Sequence, residues 1–391
     1  YLTCIFKGDD MLSDKTVKIV KSTAPILQAH GETLTRHFYK RMFQHNPEVA
    51  PFFNPAHQES GLQQKALAGA ICAFAANVDN LDVLANAVEL IAQKHSSLQV
   101  KSEHYPIVGS NLLASISEVL GSGATEEVIN AWAEAYGFLA NILIGREAQI
   151  YKEHKNSPHG WEGFKDFRVK KKKKESDIIT SFYLVPVNGE DLPEFKAGQY
   201  ITVQVSSPNG HTTMRNYSLS NKPGEKYFRI SVKREKSPDS QAPAGYVSNL
   251  LHNSIDEGAI LKIAPPCGEF FLDMEQNHNQ PLVLLAGGIG ITPIISILET
   301  ALEKMPNRKI VIAHACLHEE VQAFRSFLDE LEKNNDNLTV RHCYSNPAPE
   351  SITRSKKDIN GLVDASVIES LIPDKEADYY FCGPKPFMIN I

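Results

Sequence analysis

Apolar positions along the first third of the chain recur at helical spacing. In residues 81–98, Leu84, Val88, Ile91, His95 and Leu98 follow one another at steps of four, three, four and three, so they share one helical face. Ser13 and Asp14 suit the cap of a first helix. A second helical run carries Ile26, Leu34, Phe38, Tyr39 and Met42 on its apolar side, and the proline stretches near Pro47, Phe52 and Pro55 end it. Further helices are expected over residues 63–77, 81–98, 106–120 and 126–151. No Val/Ile/Thr-rich alternation interrupts them, so residues 11–151 read as one all-α domain of ordinary size. Residues 1–10 lack the basic and apolar regions of a signal peptide, and they are expected to lie outside the fold, with a natural start at Met11.

After Pro158 the period changes to two. Alternating stretches over 178–187, 200–205, 217–219, 227–232 and 260–263 are punctuated by Gly198, Gly210, Gly224, Gly258 and Gly268. Short strands with such turns predict an antiparallel barrel over residues 163–273, interrupted by one short helix at 245–252. The lysine run 170–174 falls on the first strand. It reads either as an edge protected by charge or as a docking patch for an acidic partner. From Gln280 the pattern changes again. Strands over 282–285, 309–315, 337–344 and 378–381, with helices over 293–305 and 319–332, predict a doubly wound parallel α/β lobe over residues 280–391.

Composition agrees with three zones. A chain of 391 residues is too long for one core. Its 42% hydrophobic and 22% charged residues are those of a soluble globular protein, and a formal net charge of -6 makes no case for nucleic acid or an acidic membrane surface. Cys4, Cys72, Cys267, Cys316, Cys343 and Cys382 stand singly, with no C-x-x-C. That spacing argues against zinc, iron–sulfur clusters and a disulfide scaffold, and it suits the reducing cytoplasm. No run of about 18 apolar residues suggests a membrane span.

Candidate chemistry begins at the third zone. A buried strand runs directly into Gly287, Gly288, Ile289, Gly290 and Ile291, and then Thr292 and Pro293 open a helix as expected N-cap and first helical residue. Close backbone approach and free N–H groups at a helix start suit a pyrophosphate, although a tight structural turn would use the same glycines. The pattern is G-x-G-x-x-P, not the Rossmann G-x-G-x-x-G. The barrel zone carries Arg215–Asn216–Tyr217–Ser218, in which Arg can hold phosphate and Tyr can stack on a flat ring. It also carries Gly245 with Tyr246, Val247 and Ser248 at a short helix start, and an A-G-Q-Y turn ending at Tyr200. Cys382–Gly383–Pro384 follows the last strand. Each of these alone has an ordinary structural reading. In this order they resemble the ferredoxin-reductase-type flavin module, which implies FAD on the barrel and NADH or NADPH on the lobe. His314, His318 and Arg325 lie where a 2′-phosphate would be read but form no clear basic clamp, so NADH versus NADPH stays open.

His95 carries two readings, a core histidine satisfied by its neighbours or an imidazole ligating haem iron. The helical zone resembles the globin of the flavohemoglobin family, through L-T-R-H-F-Y-K-R-M-F at 34–43, F-F-N at 52–54, L-Q-Q-K-A-L at 62–67, I-A-Q-K-H at 91–95, E-H-Y-P-I-V-G at 103–109 and R-E-A-Q-I-Y at 146–151. With that resemblance the fold class is an all-α globin, an antiparallel FAD-binding β-barrel and a doubly wound NAD(P)-binding lobe. The resemblance implies haem b ligated by His95, with Tyr39 and Gln63 on the distal side where they can hydrogen-bond O₂, and Phe53 and Leu67 shaping the pocket. It also implies Tyr105 and Glu147 as a proximal pair that makes His95 more basic.

The implied activity is nitric oxide dioxygenation. Electrons pass from NAD(P)H through FAD to haem, and NO with O₂ becomes nitrate, in a monomer with no obligate protein partner. Two other classes remain: a gas-binding or gas-sensing globin with a crippled reductase lobe, and a flavin reductase whose helical domain holds no haem and docks a partner. The family pattern continues after C-G-P-x-x-F-M through another helix and strand, whereas this chain stops at Ile391. A fragment of a longer chain is therefore expected, with an impaired reductase as the alternative. Ile291 replaces a polar residue sometimes found in the glycine loop, a change expected to be tolerated because that loop binds through its backbone.

Overall fold

The computed structural model describes residues 12–54, 58, 60–206, 210, 212–237, 244–274, 280–347, 358–372 and 376–391, with the Leu27 side chain excepted. The expected start at Met11 and the stop near Pro55 lie outside the described residues. The chain packs as two compact units, Tyr1–Asn156 with Gln204–Met214, and Ser157–Val203 with Arg215–Ile391. The two zones expected at 163–273 and 280–391 thus fall largely within one packing unit.

In the helical unit, the two helices expected before residue 45 are one 32-residue helix, Asp14–His45, capped by the Ser13 hydroxyl accepting from the Thr16 N–H. Pro25 lies inside it. A helix-interior proline removes a hydrogen bond and costs about 3 kcal/mol. The helix continues through it because Val20 on one side and Leu34, Phe38 and Met42 on the other enter the same apolar core. Tertiary packing overrides local propensity here. Pro47–Phe52 forms a 3₁₀ turn, followed by helices Leu62–Ala76, Ala85–Ser97, Tyr105–Leu120 and Glu126–Asn156. The expected helix over 81–98 begins instead as a 3₁₀ turn, Leu81–Leu84.

Glu126–Asn156 is long and apolar enough to cross a membrane by length and composition, against the expectation of no such segment. Its Ala131, Trp132, Ala135, Ile142, Leu143 and Ile150 are buried in the helical core, and Trp132 donates to the Thr23 hydroxyl at 3.1 Å. It therefore packs as the core helix of this unit. Two apolar clusters, one around Phe38 and Trp132 and one around Val88 and Leu143, share Leu81, Tyr136 and Leu139.

Residues 165–267 form strands β1 Lys165–Lys174, β2 Ile179–Pro186, β3 Tyr200–Ser206, β4 Thr212–Ser218, β5 Phe228–Lys233 and β6 Ile260–Cys267 in the order β4-β3-β6-β1-β2-β5. A bridge between Leu219, just after β4, and Ile230 of β5 joins the two ends of that order and closes the sheet around Phe167, Phe182, Leu184, Ile201 and Phe228. β1 is an interior strand, which corrects the edge-strand reading. Only its first half pairs with β6, and after a register shift at Val169/Lys171 its lysine half pairs with β2 alone. Lys172 is tied down by the His252 and Ile255 carbonyls and Asp256, while Lys173 and Lys174 pair with Glu175 and Asp177. The run is largely spent on the fold.

The remaining strands, β7 Leu282–Gly287, β8 Ile310–Cys316, β9 Leu338–Tyr344, β10 Ile359–Asn360 and β11 Asp378–Cys382, form a parallel sheet in the order β10-β9-β8-β7-β11. Every residue of β7 is buried, as an interior parallel strand requires. The chain winds outward from β7 through β8 and β9 to β10, then crosses back to β11. The topological switch lies between β7 and β11, the place where such sheets bind ligands. The helix expected over 319–332 divides into a 3₁₀ turn Glu319–Val321 and a helix Arg325–Asn334. Phe324 between them sits at φ 62, and its buried ring takes the Arg229 guanidinium at 5.1 Å. Arg229 also meets Glu299 at 3.3 Å, and Ser296 donates to the Asn221 carbonyl at 2.7 Å, so the helix Ile291–Lys304 is bound to the barrel.

Pro25→Ala restores the missing N–H at an exposed helix position and is expected to stabilise the helical unit by about 1–3 kcal/mol. Thermal unfolding of the two proteins side by side checks it. An unchanged or lower melting temperature contradicts it.

Candidate functional site

His95 lies in the last turn of Ala85–Ser97, with 34% of its side chain exposed. Its stripe is less buried than its periodicity suggested. Val88 is buried, but Leu84, Ile91 and Leu98 are half-buried, while Ala92 and Ser96 enter the packing. The contacts of His95 fall on one nitrogen. Nδ1 is 2.8 Å from Glu147 Oε1 and 3.2 Å from the Tyr105 hydroxyl, and that hydroxyl donates to the same Glu147 oxygen at 2.6 Å. A carboxylate only accepts, so Nδ1 carries the hydrogen and Nε2 carries the lone pair. Among the described residues Nε2 has no partner. The donor set thus fits a metal ligand whose second nitrogen is fixed by a carboxylate.

The surroundings hold this arrangement firmly. Glu147 is 2% exposed, and burial, followed by the Glu147 charge, pushes the Tyr105 pKa up, so its hydroxyl keeps its proton. Arg146 clamps Glu89 through two hydrogen bonds of 2.7 and 2.9 Å, fastening the His95 helix to the Glu147 helix. Tyr136 donates to the Tyr105 carbonyl at 2.6 Å and lies against Gly109, where a Cβ would come within 2.5 Å of its ring. Sequence reading missed Tyr136. The signal was Gly109, four residues after Tyr105.

Tyr39, Gln63, Phe53 and Leu67 come together elsewhere in the same unit. The Tyr39 hydroxyl hydrogen-bonds the Gln63 side chain, and burial pushes its pKa up. Gln58 donates to Gln63 Oε1 at 2.9 Å and so holds that amide. The Phe53 ring meets Tyr39 edge-on at 5.6 Å, and Leu67 packs against the same core.

In the second unit, Arg215, Asn216, Tyr217 and Ser218 on β4 are all half-buried. Asn216 donates to the Thr202 hydroxyl at 3.0 Å, tying β4 to β3. Arg215 and Tyr217 alternate with it on the opposite face. Burial lowers the Arg215 pKa and raises that of Tyr217, each tempered by the other. Tyr200 lies over Gly268, where a Cβ would sit 2.8 Å from its ring. Val247 is buried, so it can offer only backbone, and the Ser248 hydroxyl already serves Gly245 and Glu235. No side chain caps the helix they begin, Tyr246–Ser254.

Gly288–Gly290 form a 3₁₀ turn running into Ile291–Lys304, a helix whose N-terminus has no side-chain cap and no acidic residue in its first turn. Thr292 is not the N-cap that was expected. It lies inside the helix, and its hydroxyl donates back to the Ile289 carbonyl at 3.1 Å. Pro293 and the side chain of Ile291 are buried, so the turn offers backbone rather than side chains. Cys382, Gly383 and Pro384 stand beside it: a Cβ on Gly290 would come within 2.2 Å of the Cys382 carbonyl oxygen, and one on Gly287 within 3.0 Å of Pro384. The two motifs meet at the switch between β7 and β11. His314 and Arg325, considered above for a 2′-phosphate, are otherwise engaged. His314 is fully buried, and Arg325 pairs with Asp358 at 2.9 Å and with the Tyr344 hydroxyl.

Three family models match in series: Globin over residues 36–143, Oxidoreductase FAD-binding domain over 166–272 and Oxidoreductase NAD-binding domain over 284–391. The flavohemoprotein of Rhodopirellula baltica is 50% identical over 97% of this chain and 93% of its own length. The chain belongs to the flavohemoprotein family. That of Halalkalibacterium halodurans is 45% identical over 97% of this chain and 92% of its own. The crystal structure of flavohemoglobin from Malassezia yamatoensis, with bound FAD and heme, superposes with a TM-score of 0.82 at 26% identity, covering 97% of this chain and 94% of that one. A flavohem-like FAD/NAD-binding domain of nitric oxide dioxygenase from Vibrio cholerae gives 0.52 at 29% identity, over 58% of this chain and 90% of its own. As a flavohemoprotein, the chain is an oxidoreductase that joins a haem globin to FAD- and NAD-binding domains.

Gly290→Ala places its Cβ against backbone that cannot rotate away. Overpacking of this kind costs about 1–3 kcal/mol. The variant is expected to melt earlier in the second unit and to lose NAD⁺ binding in calorimetry. Unchanged melting and binding would show that the two motifs do not touch.

Proposed function

We propose that this flavohemoprotein is a nitric oxide dioxygenase that detoxifies NO as nitrate, with NADH or NADPH as the electron source. One observation carries the reading: His95 Nδ1 held at 2.8 Å by the buried Glu147, with Nε2 left as the ligating nitrogen. When bound, the nicotinamide supplies hydride, the flavin divides it into single electrons, and the haem iron activates O₂ toward NO.

The protein's own part is electrostatic and positional. Glu147 draws on the His95 N–H and makes the imidazole a stronger donor through Nε2, the direction that favours oxygen chemistry over carriage. Tyr105 donates to Glu147 and holds its oxygen in place. On the distal side, Tyr39 stays protonated and can donate a hydrogen bond toward O₂, while Gln63 orients it. Phe53 and Leu67 keep that region apolar and exclude water. On the barrel, Arg215 and the uncapped helix start at Tyr246, Val247 and Ser248 would hold the FAD phosphates, with Asn216 and Ser218 on the same strand and the Tyr200 and Tyr217 rings against the flavin. The backbone from Gly288 through Ile289, Gly290, Ile291 and Thr292 to Pro293, with Cys382, Gly383 and Pro384, would hold the dinucleotide. The relatives named above support this division of labour. Small molecules suffice as partners, and a monomer in the cytoplasm is the state proposed.

Purified protein given NADH, O₂ and NO is expected to consume NADH and release nitrate, and Tyr39→Phe is expected to lose O₂ faster. His95→Ala is expected to lose the histidine-ligated Soret spectrum with added haemin. A histidine-type spectrum in that variant removes the proximal assignment. A haem spectrum without NADH-driven reduction selects the gas-binding reading, and no Soret band at all selects the plain flavin reductase.

A further inference from the structure

The parallel sheet buries a chain of polar side chains that the motifs do not account for. His314 and Cys316 stand two apart on β8 and therefore share one face of the sheet, and His342 on β9 is the register partner of His314. His314 Nε2 lies 3.0 Å from the Gly288 carbonyl oxygen, and the Cys316 thiol accepts from the Gly288 backbone N–H. Gln322 Nε2 is 3.2 Å from His314 Nδ1 and 2.7 Å from His342 Nδ1. His342 Nε2 in turn meets Asp329 at 2.9 Å. His314, Gln322 and His342 are all buried.

The Cys316 thiol also lies 3.3 Å from His314 Nε2, and the donors and acceptors balance when that nitrogen carries the hydrogen. Arg325 donates to the Tyr344 hydroxyl, whose own hydrogen goes to Gln322 Oε1. That fixes the amide, so its two N–H groups point at the two Nδ1 lone pairs. Both histidines are then Nε2–H tautomers, with His314 donating to Gly288 and His342 to Asp329. Burial lowers the His314 pKa to about 4, so the ring is neutral at pH 7.

Gly288 is the residue of the turn at φ +52, and His314 and Cys316 grip both of its backbone groups. In a trans peptide the C=O and the next N–H point oppositely. Drawing the Gly288 oxygen toward the sheet therefore turns the Ile289 N–H outward. The Ile291 N–H of the turn also reaches the Gly288 oxygen, so without His314 that half-buried carbonyl keeps a single partner and its second acceptor site goes unfilled.

We propose that His314, oriented by Gln322 and assisted by Cys316, is a positioning residue for the dinucleotide: it sets the Gly288–Ile289 peptide so that the turn presents N–H groups to a pyrophosphate. This rests on the glycine turn being the dinucleotide site. Its role is distinct from that of the turn residues, because it acts through the backbone and contacts no coenzyme.

Calorimetry of the haem- and FAD-loaded protein with ADP-ribose tests it. His314→Phe is expected to weaken ADP-ribose at least tenfold while the Soret band, FAD content and dithionite reduction stay unchanged. His314→Gln, whose amide can donate to the same carbonyl, is expected to recover most of that affinity. A Phe variant that binds like the unmodified protein overturns the proposal, as does a Gln variant no better than Phe. If the Phe variant does not fold, Gln322→Leu carries the test: His314 stays but loses its Nδ1 partner, and a severalfold loss is expected where unchanged affinity would overturn the proposal. Unmodified protein that ignores ADP-ribose would instead remove the dinucleotide reading itself.

Discussion

A single hydrogen bond organises the helical unit, the one between His95 Nδ1 and Glu147. A half-exposed histidine on a partly apolar face would ordinarily rotate among rotamers and exchange tautomers. Here the buried carboxylate accepts from Nδ1, and Tyr105, held by Tyr136, donates to that same oxygen. The tautomer and the ring plane are thereby decided together, and Nε2 is the free donor atom. The Arg146–Glu89 clamp, made by the residue next to Glu147, fastens the two helices together. Much of the long helix Glu126–Asn156 can be understood as the support that carries Glu147 into a position where a carboxylate would otherwise be too costly to bury.

The second unit follows a comparable logic with backbone in place of side chains. Its candidate dinucleotide turn has almost no polar side chain of its own to offer, since Ile291 and Pro293 are buried and Thr292 is spent on Ile289. What remains is a set of N–H groups at an uncapped helix start, and their direction depends on how the glycines lie. Close approach to Cys382 and Gly383 constrains one side, and His314 with Cys316 constrains the other. The turn is a surface shaped by its neighbours.

Much of this was legible in the sequence because it rests on local period and on contiguous motifs. The change from helical to alternating spacing after Pro158 located the barrel, and the run from Leu282 into Gly287 located the buried first strand of the parallel sheet. His95, Tyr105 and Glu147, distant in sequence, were linked only through family resemblance, since no local pattern says that three helices meet. The errors share a cause. Two helices were read where Asp14–His45 is continuous, Thr292 was read as a cap, and residues 319–332 were read as one helix, each from local pattern. Tertiary contacts prevailed at two of these places, the core shared across Pro25 and the Arg229–Phe324 packing, while Thr292 turns its hydroxyl back to the Ile289 carbonyl three residues away. The His314–Gln322–His342 chain was invisible because its members sit on different elements and only the sheet register joins them.

Resonance Raman of the ferrous haem-loaded protein tests the central claim most directly, through the iron–histidine stretch in the unmodified chain and in Glu147→Gln. Glutamine keeps the size of the side chain but removes the charge that draws on the His95 N–H. If that hydrogen bond makes the imidazole a strong donor, the stretch falls to a lower frequency in the variant while the haem stays histidine-ligated. An identical stretch in both proteins would contradict the account.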